Sequence, residues 1–212
     1  MDSEGFRQRR HDATAQILID AAQSAIARKG YGSATMRDIA AEAGCAPGTL
    51  YLYFKSKRDL VDALTERHVA LLYGRLVAAM AATPGPLEKL RGVSQALLEY
   101  FNENRDFFKV FYSSTQVRPG QPTLGLPASV QAIERELREM EVATIGEAQE
   151  RGEVRRDFSA ESLQRFRQGL TLGLLEGWAS EDELPPREEQ MRMLWGFLTR
   201  GIGARGTHEA TP

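Results

Sequence analysis

Apolar positions along this chain recur at the spacing of helices rather than strands. Leu18, Ala21, Ala22 and Ala25 fall at i, i+3, i+4 and i+7, one face of a helix, and Gly30 stands where that helix would end. Thr35 precedes a second, short stripe of Met36, Ile39, Ala40 and Ala43, with Asp38 three positions on as in a capping box and Gly44 closing the helix. Pro47 suits the first turn of a third helix, where its missing N–H would have no partner anyway, and Leu50 and Phe54 lie one turn apart on its inner side. Ser56 and Asp59 repeat the capping pattern and open a long helix through Leu60, Leu64, Leu71 and Leu76, which Pro84-Gly85-Pro86 stops.

Further helices are predicted over 87–105 and 107–116, then an irregular stretch over 118–127. Another helix carries Val130, Ile133, Leu137, Met140 and Thr144 and halts at Gly152; the last two run from Ser159 to Trp178 and over 186–202. The expectation is an all-α chain of about nine helices, with a polar tail over 204–212. Residues 1–55 form one predicted domain of three helices, joined by the long helix to a second helical domain over 56–203.

Composition narrows the function classes. The single cysteine, Cys45, excludes an internal disulfide framework, and His11, His68 and His208 are too scattered for a zinc site. No cofactor, metal or membrane partner is expected, since no phosphate loop, nucleophile motif, signal peptide or apolar membrane span is found. A reducing, cytoplasmic home fits, and the enzyme class is set aside. The net charge of −2 divides into nine Lys/Arg against seven Asp/Glu in residues 1–60 and 18 against 22 beyond, a lean too slight to decide anything alone.

The second and third helices, joined by Gly44-Cys45-Ala46, have the form of a helix-turn-helix. Short amphipathic helix pairs are common in all-α proteins, so the spacing alone is compatible with ordinary packing. Thr49, Tyr51 and Tyr53 are read as pointing away from Leu50 and Phe54, beside Lys55, Lys57 and Arg58. Hydroxyls and ammonium groups so placed suit phosphate oxygens.

Along the continuous stretch Thr35-Met36-Arg37-Asp38-Ile39-Ala40-Ala41-Glu42-Ala43-Gly44-Cys45-Ala46-Pro47-Gly48-Thr49-Leu50-Tyr51-Leu52-Tyr53-Phe54-Lys55-Ser56-Lys57-Arg58-Asp59-Leu60, the chain resembles the TetR family of one-component transcriptional regulators. The resemblance implies a helix-turn-helix on double-stranded operator DNA, with Gly48, Thr49 and Tyr51 at base edges and Thr35, Tyr53 and Lys57 on phosphates. Arg37, Pro47 and Lys55 complete the expected DNA-binding set. Ala46 stands where the family often has a hydroxyl residue, so a cap and a phosphate contact are missing there. Arg10 and His11, just ahead of the first helix, are either phosphate or minor-groove contacts or a solvated terminus.

The family also implies a homodimer, a small-molecule effector and, in its usual mode, repression. Gly169, Gly173 and Gly177 share one helical stripe and suit close helix approach; with Leu170, Leu174, Trp178, Leu194, Trp195 and Leu198 they form the expected dimer interface. Tyr73, Met80, Leu97, Phe101, Arg105, Phe108, Phe111, Tyr112 and Met140 are the candidate pocket, with Arg105 and Gln116 as polar handles. Few charges fall on the inward stripes, so the effector is expected to be small and largely apolar or aromatic. The competing reading is a helical protein-interaction adaptor without DNA binding, which has no use for the Tyr-Leu-Tyr-Phe-Lys-Ser-Lys run.

Overall fold

The computed structural model describes residues 3–115 and 125–202, so the predicted tail, Gln116 and most of the irregular stretch lie outside the described residues. Nine helices and no strand element occur among those described: α1 (Ser3–Lys29), α2 (Met36–Glu42), α3 (Pro47–Tyr53), α4 (Lys57–Ala81), α5 (Pro86–Glu103), α6 (Arg105–Ser114), α7 (Ala128–Glu150), α8 (Ala160–Ser180) and α9 (Arg187–Ile202). The all-α expectation holds. Arg10 and His11 do not precede the first helix but lie within it, because α1 begins at Ser3.

Local chemistry sets the ends. Ser56 accepts the Asp59 N–H at 3.1 Å as the N-cap of α4, while the Asp59 carboxylate accepts the Lys55 N–H, one residue before the cap, at 3.1 Å, so only half of the expected box forms. Gly152, at φ 74°, ends α7 as the left-handed residue past its C-cap. Asn104 serves as the last cap of α5 and the first of α6, so the chain turns between them without a loop.

One continuous core runs from the first helices into the rest of the chain. Leu18, Ala22, Ala25 and Ile26 of α1 pack with Ile39, Leu50, Leu60 and Leu64, and the same cluster extends through Phe101, Phe107 and Phe108 to Leu175, Trp178 and Leu198. Two smaller clusters flank it: Leu90, Ile145, Ala148, Val154 and Leu163 in one, and Leu76, Met80 and Val93 in the other. At 25 residues α4 spans about 37 Å. Its first turns are buried beside α1, and its later turns lie against α5 and α7.

His68 of α4 stands at the junction. Its ring lies flat on Phe107 at 4.1 Å between centroids, with Nδ1 2.7 Å from the Tyr100 hydroxyl and Nε2 3.0 Å from Gln23 Oε1 of α1. The neutral tautomer protonated on Nε2 donates to Gln23 and accepts from Tyr100, satisfying both nitrogens. Burial, with help from the nearby Arg67 charge and against Asp20, lowers its pKa to about 4.

Candidate functional site

The helix-turn-helix is locked from both ends. Thr35 accepts the Asp38 N–H at 3.2 Å, and the Asp38 carboxylate accepts the Thr35 N–H at 2.9 Å. The same carboxylate takes Lys29 Nζ at 2.6 Å, and Arg28 reaches Glu42 at 2.6 Å, so the end of α1 is tied to both ends of α2. Hydrogen bonding from Lys29, then from Thr35, holds the Asp38 carboxyl well below the usual carboxylate range. In the turn, Gly44 takes φ 67°, while Cys45 N–H bonds Ala40 O at 2.9 Å and Gly44 N–H bonds Ala41 O at 3.1 Å. This is the Schellman arrangement, and its left-handed residue is glycine because a Cβ there is strained. As expected from the sequence, Ala46 offers no side-chain cap to α3 and Pro47 occupies its first turn.

Two residues expected on phosphates have other work. The Thr35 hydroxyl proton goes to Asp38 at 2.8 Å, so Thr35 is spent as a cap. Lys57 Nζ donates to Ala34 O at 2.7 Å and to Tyr31 O, and sits 4.4 Å from the centre of the Tyr31 ring. It braces α4 against the α1–α2 turn, and only one of its three N–H groups remains. Tyr53 is half-buried and stacked on His11 at 4.5 Å, facing α1 rather than straight outward. The reason is angular: at 100° per residue Tyr53 is only 60° from the fully buried Leu50, whereas Gly48 and Leu52 lie opposite it. Leu52 is 80% exposed and Tyr51 53%. Arg37, Pro47, Gly48 and Lys55 are also exposed and Thr49 partly so. Sequence reasoning missed Leu52, although the helical wheel alone places it at the centre of the outward face.

The candidate pocket residues do not form one group. Phe101 is fully buried between Phe108, 5.0 Å away, and Trp178, 6.4 Å away, as part of the main core with Phe111 and Tyr112 at its edge. Met80 and Met140 belong to the cluster between α4, α5 and α7, and Leu97 packs on both that cluster and the main core. Tyr73 is half-buried and donates its hydroxyl to Glu136. Arg105 donates to Trp178 O at 3.3 Å and Asp182 O at 3.2 Å at the C-terminal end of α8, and its Nε is buried with no hydrogen-bond partner.

The inward faces also carry charge, contrary to the expectation. Glu141 of α7 and Arg167 of α8 form an ion pair with both side chains at least nine-tenths buried, and Gln164 Nε2 donates to Glu141 at 3.1 Å. Arg167 Nε is buried with no hydrogen-bond partner. One helical repeat before Glu141, Glu134 accepts from Gln168 at 3.3 Å, and burial raises its pKa, as does the Glu141 charge. Burial likewise pushes up the Tyr112 hydroxyl. The signal was in the sequence, as Glu134 and Glu141 seven residues apart, but the apolar stripe beside them masked it.

The expected dimer face divides in the same way. Trp178, Leu194 and Leu198 are buried within their own chain, in the core, and so are not interface residues. Leu170, Leu174 and Trp195 are partly buried against that core. Gly169, Gly173 and Gly177 are exposed, and a Cβ added to any of them would meet nothing within 4 Å, so no helix of this chain uses their smallness. Apolar residues that the sequence reading passed over are also open on these two helices: Phe166 of α8, 62% exposed, and Met193 and Phe197 of α9, the latter 65% exposed.

A compact helix-turn-helix with an outward, partly basic third helix, mounted on a larger helical body, defines a DNA-binding regulator. Residues 18–64 match the model for bacterial regulatory proteins of the tetR family. Over 149 residues the chain is 28% identical to the HTH-type transcriptional repressor KstR2 of Mycobacterium tuberculosis, covering 70% of this chain and 73% of that protein. Its fold is that of the solved ketosteroid transcriptional regulator KstR2 of the same organism, at TM-score 0.73 and 24% identity over 90% of this chain and 95% of that one. It is similar also to FadR from Bacillus subtilis in complex with stearoyl-CoA, at TM-score 0.71 and 22% identity over 88% and 98% of the two chains. Residues 18–64 thus match the DNA-binding region of the tetR family, and the chain is similar over 70% of its length to a transcriptional repressor, which favours the regulator over the enzyme and adaptor readings. Among the described residues no helix is long and apolar enough to cross a membrane.

Proposed function

We propose that the chain is a homodimeric repressor that holds a palindromic operator with a pair of α3 helices and lets go when a small molecule binds its helical body. The observation that carries this reading is the outward face of α3, where Gly48, Thr49 and Tyr51 stand free of the core beside Lys55. The sequence likeness to a named repressor supports the sign of regulation. Functionally, 1–55 reads DNA and 56–203 binds effector and partner, although one core joins them, and the protein works in the cytoplasm beside the chromosome.

Dimerisation is assigned to the outer face of α8 and α9, where Phe166 and Phe197 are open and glycines leave room for a close partner helix. The effector is assigned to the region bounded by Met80, Leu97 and Met140 on one side and Phe111 and Tyr112 on the other. The buried Glu141 and Arg167, with the half-buried Glu134, amend its chemistry: an apolar body with a polar group able to accept from Arg167. Relatives named for ketosteroid regulation and crystallised with stearoyl-CoA support a lipid-derived compound. Because α4 packs on the helix-turn-helix at one end and on α5 and α7 at the other, a ligand that favours a tilted α4 changes the spacing of the two recognition helices.

A gel shift with the DNA upstream of the chain's own gene tests the core claim, followed by titration with acyl- and steroid-type thioesters with and without operator. A coupling of about 1–3 kcal/mol weakens operator binding roughly 5- to 150-fold, and operator weakens the ligand equally. Equal ligand affinity in both titrations removes the allosteric claim.

A further inference from the structure

We propose that Leu52 is a base-reading residue of the recognition helix, and that its reading partner is the C5-methyl group of a thymine in each operator half-site. The inference rests on α3 being the helix that enters the major groove, and it names the chemistry that this helix recognises. Leu52 lies opposite the buried Leu50 and is 80% exposed, the most exposed of the large hydrophobic side chains among the described residues. A seven-residue helix gains nothing for its own stability from a leucine held in water. Gly48 is one turn earlier on the same face, and a Cβ built on it would meet nothing within 4 Å. The glycine therefore leaves a notch on the outer surface, floored by backbone, with Leu52 one turn further along the same face.

What fits there is small, flat-edged and apolar at its tip. Among the groups on the major-groove edges of the base pairs, the C5-methyl of thymine is the one that offers an apolar side chain a carbon to pack on. The hydroxyls of Thr49 and Tyr51 flank the notch by their positions on the helix and supply polar reading at adjoining base pairs. A cytosine at the same position has no methyl group and would leave the leucine in water, so the contact discriminates without any hydrogen bond.

The test removes the two halves of the contact independently. Operator is first obtained by selecting bound fragments of genomic DNA, then synthesised with each thymine in turn replaced by deoxyuridine, which keeps the base pairing and deletes only the methyl group. Burial of one methyl group implies that wild-type chain loses about fourfold in affinity at one position of a half-site. Leu52→Ala binds the thymine operator more weakly and is indifferent to uracil at that position, while its melting temperature matches wild type because the side chain touches no core. Wild-type chain that binds operator but ignores every uracil substitution overturns this inference alone, as does a Leu52→Ala chain that keeps the full thymine-to-uracil ratio. Wild-type chain that selects no fragment at all overturns the DNA-binding reading, and this inference with it.

Discussion

Acid should weaken this protein through His68 before it titrates most carboxylates. The imidazole is neutral in the native state with a pKa of about 4, against 6.5 in an unfolded chain, chiefly because burial penalises its charged form. Between those values the unfolded chain takes up a proton that the native one refuses, so stability is fully present above about pH 6.5 and lost as the pH falls towards 4. From pH 7.5 to pH 5 the linkage amounts to about 2 kcal/mol. The assay is urea unfolding at both pH values and one fixed protein concentration, for wild type and His68→Gln. The glutamine cannot titrate, and the carboxylates contribute alike to both proteins and cancel in the difference. His68→Gln is expected to be the less stable at pH 7.5, having lost the stack on Phe107, yet to lose about 2 kcal/mol less on acidification. Parallel pH dependences for the two proteins would refute the reasoning, because they would mean that the native fold accommodates the imidazolium between Gln23 and Tyr100.

Phe197→Glu on the open face of α9 should leave helicity intact and convert the dimer to monomer in sedimentation; a dimer as stable as wild type would move the interface elsewhere. Lys57→Met should cost about 2–3 kcal/mol by removing charged hydrogen bonds to Tyr31 and Ala34, while the salt slope of operator binding stays unchanged; a slope smaller by about one unit restores Lys57 to a phosphate. Glu141→Leu alone should destabilise by about 3–5 kcal/mol because it strands Arg167, and the double change with Arg167→Met should recover most of that; equal losses in denaturant unfolding would argue against a coupled buried pair.

Several elements were legible because their chemistry is local. The box at Thr35-Asp38, the Ser56 cap, the left-handed glycines at 44 and 152 and the proline opening α3 depend on neighbours within four residues and are found where expected, whereas the return half of a box at Ser56-Asp59 is not, since Asp59 bonds Lys55 N–H instead. Leu52 was legible too and was missed: reading Thr49, Tyr51 and Tyr53 as one outward set applies a two-residue alternation to a helix, where 100° steps put Leu52 outside and Tyr53 on the flank. The buried charges of α7 and α8 were the other omission, since Glu141 and Arg167 read as surface residues until the two helices face one another.

The sequence by itself determined the all-α class, the order and ends of most helices and the family of the helix-turn-helix, because helix periodicity, caps and a contiguous motif are written within short windows of chain. Only the tertiary structure decided what each face meets. Trp178, Leu194 and Leu198 have the same periodic signature as residues of an interface, yet they close the protein's own core, while Phe166, Met193 and Phe197 stay open. Periodicity states that a helix has an apolar side and is silent on whether that side is covered by its own chain or by another. In the same way, the charge of Lys57 suits a phosphate in one dimension, but in three its ammonium lies over Tyr31 with backbone carbonyls already in reach.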